Sequence, residues 1–141
     1  MYIVDTNILV NYFISDFLTL NKEQLSQVDK FISLRGQRIL PDFVITELFV
    51  LMERVVGKKF KFSKDLVNSC VLSITKNLIT PSSDHQVIFP TEKELLKALK
   101  DYSTYRNRVG FVDFLIVVLA KSRKFEILTG DKELLKVFNS Y

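Results

Sequence analysis

Tryptophan is absent from this chain, and cysteine and histidine occur once each. One cysteine forms no internal disulfide, and one Cys with one His cannot supply the usual ligands of a zinc site. Cys70 falls within a helical apolar pattern and is expected to be a small core residue. His85 is expected to be an ordinary loop residue before a strand. No Ser–His–Asp or Cys–His arrangement offers a protein nucleophile. There is no internal repeat, low-complexity tract or domain linker. The N-terminus lacks the basic region of a signal peptide, and its apolar run is broken by Asp5 and Asn7. The longest apolar run, Phe114 to Ala120, is far too short to cross a bilayer. These absences predict a soluble, cytoplasmic protein with no membrane partner.

Apolar residues make up 48% of the 141 positions and charged residues 26%, with 12 phenylalanines. That composition is globular rather than disordered, and the length suits one domain, 1–141, with a core rich in Phe and aliphatics. The net charge of +4 and pI of about 9.2 are compatible with a polyanionic partner without requiring one.

The chain opens with a short apolar strand, Tyr2-Ile3-Val4, that runs straight into Asp5. Asp5 or Thr6 can cap a helix to about Ile14. Asn21 and Gln24 have capping-box spacing and start a helix through Leu25, Val28 and Ile32, with Gly36 after its end. Arg38-Ile39-Leu40 is a second strand, stopped at Pro41. A helix from Asp42 to Val56 should end at Gly57, with Val44, Leu48, Leu51, Met52 and Val55 as its apolar face. A basic connector follows, Lys58 to Lys64, and Ser63 can cap a helix carrying Leu66, Cys70, Val71, Ile74 and Leu78. Gln86 to Phe89 is strand-like, Thr91 and Glu94 form a second capping box, and the helix they open passes through Leu95, Leu99 and Tyr102. Arg106 to Gly110 is a polar loop. A very apolar helix runs from Phe111 to about Lys124, then a strand at Glu126-Ile127-Leu128, a turn at Thr129-Gly130-Asp131, and a last helix. Strands alternating with helices predict an α/β fold, a parallel sheet with helices on both faces. The pattern does not specify strand order.

Most acids sit among lysines on polar faces or in capping positions, including Glu92, Glu94, Asp101, Glu133 and Asp29. Four acids differ. Asp5 ends a buried strand, and Asp131 repeats that arrangement at the far end of the chain; each is equally well read as a helix N-cap. Asp113 lies between Val112 and Phe114 in a helix apolar nearly all round. The helix dipole favours an acid in the first turn by only about 0.3–1 kcal/mol, whereas burying it unpaired costs several. Asp113 therefore calls for a cation, either a metal or Arg106 or Arg108. Glu47 flanks the apolar face of its own helix. Four carboxylates gathered together could not all stay ionised without cations, and Mg²⁺ or Mn²⁺ suits oxygen ligands. An acidic metal pocket on a mildly basic protein suits a phosphodiester substrate.

The set Ile3-Val4-Asp5-Thr6-Asn7, Ile45-Thr46-Glu47-Leu48, Gly110-Phe111-Val112-Asp113 and Leu128-Thr129-Gly130-Asp131 resembles, in order and spacing, the PIN domain family, in particular VapC-type toxins of toxin–antitoxin pairs. The resemblance spans nearly the whole chain. It implies a three-layer α/β/α fold around a parallel sheet of four to five short strands. It also implies an Mg²⁺- or Mn²⁺-dependent ribonuclease whose catalytic and metal-binding acids are Asp5, Glu47, Asp113 and Asp131, supported by Asn7 and Thr129. Its implied partners are an RNA substrate (tRNA, rRNA or mRNA), a cognate antitoxin and a second copy in a homodimer. Phe114 departs from the family pattern, which often has a small residue after the third acid. Arg106 and Arg108 could clamp phosphate, and Lys58, Lys59 and Lys61 could track an RNA backbone; both groups read equally as solvated segments. The alternatives are a stand-alone RNA-processing or DNA-flap PIN-like nuclease, and an inactive PIN binding module. A haloacid-dehalogenase-like phosphatase would want a second aspartate where Asn7 stands.

Overall fold

A computed structural model describes residues 1–15, 19–60, 63–80 and 82–141, with the backbone alone at 59 and 60. Among the described residues the strands are β1 (Tyr2–Val4), β2 (Arg38–Pro41), β3 (His85–Ile88) and β4 (Glu126–Leu128). The helices are α1 (Thr6–Phe13), α2 (Lys22–Ser33), α3 (Asp42–Phe60), α4 (Lys64–Ile79), α5 (Glu92–Tyr102), α6 (Phe111–Arg123) and α7 (Lys132–Ser140). All strand pairs are parallel and the order is β3-β2-β1-β4. The chain steps outward from β1 to β3, then returns to lay β4 on the other side of β1. The topological switch point therefore falls between β1 and β4, and ligands of open α/β sheets bind outside the carboxyl ends of the strands at such a point.

Helices α1 to α4 pack among themselves, as do α5 to α7, giving the two outer layers. The centre of the core is α6, whose residues Phe114 to Ala120 are all buried, matching its unbroken apolar sequence. Phe114 turns away from the acids into an aromatic cluster, 5.0 Å from the Tyr105 ring and 5.3 Å from that of Tyr141. Its bulk is absorbed there, which accounts for the tolerated departure from the family pattern.

Both capping boxes form. Asn21 Oδ1 accepts from the Gln24 N–H and Gln24 Oε1 accepts from the Asn21 N–H; Thr91 and Glu94 do the same. Glu94 does more than cap. It is buried, and it accepts hydrogen bonds from Arg123 Nε and Nη2, each at 2.8 Å, and from Ser122 Oγ at 2.8 Å. The Arg123 guanidinium holds its carboxyl down at about 2. The stabilisation this confers is complete above the usual glutamate range and is lost as pH falls toward 2. Glu94→Gln is expected to lower stability by about 2 kcal/mol, read as a Tm drop of several degrees at pH 7 that narrows in acid; an unchanged Tm would remove the pair from the account of the fold.

Several expectations shift by one residue or one turn. Helix α3 continues through Gly57 to Phe60; an interior glycine costs a helix only ~1 kcal/mol and does not oblige it to stop. The buried stripe of α4 is Val67, Val71, Thr75 and Leu78, so Cys70 is exposed and not a core residue. Leu66 and Leu72 are also exposed, so α4 is apolar on more than one side and its periodicity is ambiguous. Helix α2 buries Val28 and Phe31 while Leu25 and Ile32 are exposed. His85 opens β3 instead of preceding it, and its Nε2 lies 2.6 Å from the Leu78 carbonyl oxygen.

Candidate active site

Val4 of β1 pairs with Leu128 of β4, and the Asp5 N–H donates to the Leu128 carbonyl at 3.0 Å. That last rung of the ladder places Asp5 beside Thr129 at the carboxyl edge of the sheet. Thr129 is buried; its hydroxyl donates to Asp5 Oδ2 at 2.6 Å and accepts from the Asp131 N–H at 3.0 Å. A second threonine does the same for a second acid. Thr6, buried at the first turn of α1, donates to Glu47 Oε2 at 2.6 Å. Both are short, charge-assisted bonds. Each fixes one oxygen of a carboxylate and leaves the other for a ligand. Thr6 was not among the residues singled out from the sequence, although a buried hydroxyl directly after the first acid was the available signal.

The two acids that read equally well as caps divide. Asp5 occupies the N-cap position of α1 but makes no side-chain cap bond. Asp131 is a full cap: its Oδ1 accepts from the Glu133 and Leu134 N–H groups at 2.8 and 3.1 Å. Its Oδ2 has no hydrogen bond among the described residues. Asp113 sits in the first turn of α6, which has Gly110 as its N-cap.

The four acids share one electrostatic field. Asp113 is pushed up to about 6, first by burial and then by the charges of Asp5, Glu47 and Asp131. Asp5 is also raised, again chiefly by burial, with the Thr129 hydroxyl opposing and Glu47 and Asp131 adding to it. No basic side chain is among the main causes of either shift. Neither arginine is therefore the cation that Asp113 calls for. Arg108 instead pairs at 3.4 Å with Glu133, both part-exposed, and Arg106 is exposed.

A hard divalent cation fits this donor set by its chemistry, which is one of carboxylate oxygens. Among the described residues no three acids, histidines or cysteines converge tightly enough to enclose a bare ion. Mg²⁺ keeps several waters and binds through one or two carboxylates, so an ion at this site would be held by the acids largely through water.

Asn7 is exposed and lines a polar cleft beside Asp131. Lys58 is exposed near the end of α3; the side chain of Lys59, and Lys61 altogether, lie outside the described residues. On a regular helix Lys58 stands about 16 Å beyond Glu47 and on nearly the same side. Arg54, exposed and two turns past Glu47, shares that side and had not been singled out.

Fold and site together define a class: α/β proteins whose carboxylates collect at the switch point of a short parallel sheet, held there by buried hydroxyls. The PIN domain profile matches residues 2–138. The chain belongs to the PIN domain family. Among solved structures it is similar to VapC20 of Mycobacterium tuberculosis, a sarcin-ricin loop cleaving toxin, with a TM-score of 0.67 and 11% identity over 97% of this chain and 95% of that one. At that identity the likeness is one of fold. No curated protein matches the sequence significantly.

Proposed function

We propose that this protein is an endoribonuclease dependent on Mg²⁺ or Mn²⁺, and that it is the toxin of a toxin–antitoxin pair. The observation that carries the reading is Asp113, pushed up to about 6 chiefly by burial and then by three other acids. Such an accumulation of like charge lowers stability unless it serves to hold a cation. The toxin assignment follows the fold shared with VapC20 and is tested separately from the chemistry.

Asp5, Glu47 and Asp113 would hold the ion, with Asp131 completing the site through Oδ2. The bound ion supplies a water of lowered pKa and neutralises charge on the phosphate oxygens. The residues of the chain do the positioning. Thr129 fixes Asp5 and Thr6 fixes Glu47, so each presents one oxygen in a set direction. Burial of Asp5 keeps bulk water from its carboxylate and strengthens the charge interactions there. Arg106, Arg54 and Lys58 are the exposed cations available to phosphates on either side of the cut.

The direct test is cleavage of structured and single-stranded RNA with Mn²⁺ or Mg²⁺, repeated after chelation and with DNA flaps in place of RNA. Cleavage of RNA that chelation abolishes is the expected result; metal-independent cleavage, or a preference for DNA flaps, overturns it. The threonines give a finer test. Thr129→Val keeps the shape and removes the hydroxyl, and groups that orient metal ligands are typically worth about 10–100-fold. A fall of that size in kcat, with raised Mn²⁺ demand, is expected; unchanged metal demand would make Thr129 a packing residue only.

A further inference from the structure

Beside Asp131 lies a cleft of about 340 Å³ whose walls are amides. Asn7 and Asn11 come from α1, and Asn21, Gln24 and Gln27 from the start of α2. The size is at the lower end for small-ligand sites. Glu23 and Asp131 are the charged residues among its described lining, so the cleft disfavours phosphate.

The amides divide into two kinds. Asn21 and Gln24 spend their side-chain oxygens on the capping box, which leaves their NH₂ groups as donors. Asn7, Asn11 and Gln27 make no hydrogen bond among the described residues and keep a donor and an acceptor each. Gln27 lies against Gly130: a Cβ there would come within 2.9 Å of Gln27 Oε1. The absence of a side chain at Gly130 is what lets this amide reach the turn that carries Asp131.

We infer that this cleft binds the edge of an unstacked nucleobase next to the phosphodiester that is cut. The inference rests on the nuclease reading and adds a specificity subsite to it. Paired donors and acceptors on side-chain amides match base edges, as in bidentate contacts to adenine, and single-stranded RNA is read on such edges once its bases are splayed out. No aromatic ring is among the described lining residues, so recognition is by edge and not by stacking. Asn11 and Gln27 are the specificity-determining residues, since neither belongs to the acid site or to a cap.

Two measurements test this, the first independent of cleavage. The ¹⁵N-labelled full chain is titrated with adenosine, guanosine, cytidine and uridine in turn, following the side-chain NH₂ signals of Asn11 and Gln27. At least one nucleoside should shift both signals saturably, and Gln27→Ala should weaken its binding about tenfold (~1.4 kcal/mol). No shift with any of the four overturns the assignment. So does binding untouched by Asn11→Ala and Gln27→Ala, or a response to N-methylacetamide alone, which would mark a peptide site. The second measurement compares RNA oligonucleotides carrying an abasic ribose on one side or the other of the cut. Loss of the base at one of those positions should cost the wild type about tenfold in kcat/KM and cost the Asn11→Ala/Gln27→Ala variant almost nothing. Equal penalties in both proteins overturn the subsite. If the wild type cleaves no RNA, the nuclease reading fails, and the nucleoside titration still decides the pocket.

Discussion

Asp5→Asn cuts RNA cleavage by about a thousandfold, ~4 kcal/mol of barrier, without unfolding the protein. The side chain is 4% exposed and accepts from the Thr129 hydroxyl, which an amide oxygen can also satisfy. Packing and hydrogen bonding therefore survive, and what disappears is the negative charge. Burial already raises the pKa of Asp5, so a neutral isostere is the form the folded chain tolerates best. Initial rates on a fluorescent RNA, with thermal melts of both proteins, separate the two effects. A residual rate within tenfold of wild type would remove Asp5 from the centre of the mechanism.

The second large effect is on stability and has the opposite sign. Asp113→Asn is expected to raise the Tm of the metal-free protein at pH 7.5, by about 2 kcal/mol of stability. Folded Asp113 keeps its proton to about 6, while an unfolded aspartate releases it near 4. The folded state therefore binds the extra proton between those values. Its advantage is intact below pH 4 and is lost as pH rises through 6. Wild type and variant should thus converge in Tm near pH 4 and separate above pH 6. Excess Mn²⁺ supplies what the variant gains by neutralisation: it should raise the wild-type Tm at pH 7.5, with about 2.7 kcal/mol expected at a hundred times Kd, and raise the variant much less. A wild-type Tm indifferent to Mn²⁺, or an Asp113→Asn protein less stable at pH 7.5, contradicts the acid-cluster account.

The elements were legible because their boundaries are written locally. The boxes at Asn21 and Thr91, the unbroken apolar run of α6 and the strand–acid junctions at Asp5 and Asp131 each rest on a few neighbouring residues. The failures come from what neighbours do not record. Strand order depends on long-range pairing, so the meeting of β1 with β4 was not readable. The expected face of α4, Leu66, Cys70, Val71, Ile74 and Leu78, differs from the buried one because apolar residues, among them the exposed Leu66, Leu72 and Ile79, are spread around the helix. The weight given to a cap at Asp5 and at Asp131 was necessarily equal from sequence; geometry gives the whole cap to Asp131 and none to Asp5. The Arg123 partner of Glu94 and the Thr6 partner of Glu47 were missed for the same reason, being 29 and 41 positions away.

The union of β1 with β4 also sets a clock. The hydroxyl that orients Asp5 belongs to Thr129, 124 positions later. During synthesis Asp5 therefore emerges well before the strand that leads into Thr129. Contacts of such sequence separation form late in folding. Asp5 and Thr129 meet only when the strand at Glu126–Leu128 has been made and has docked beside β1.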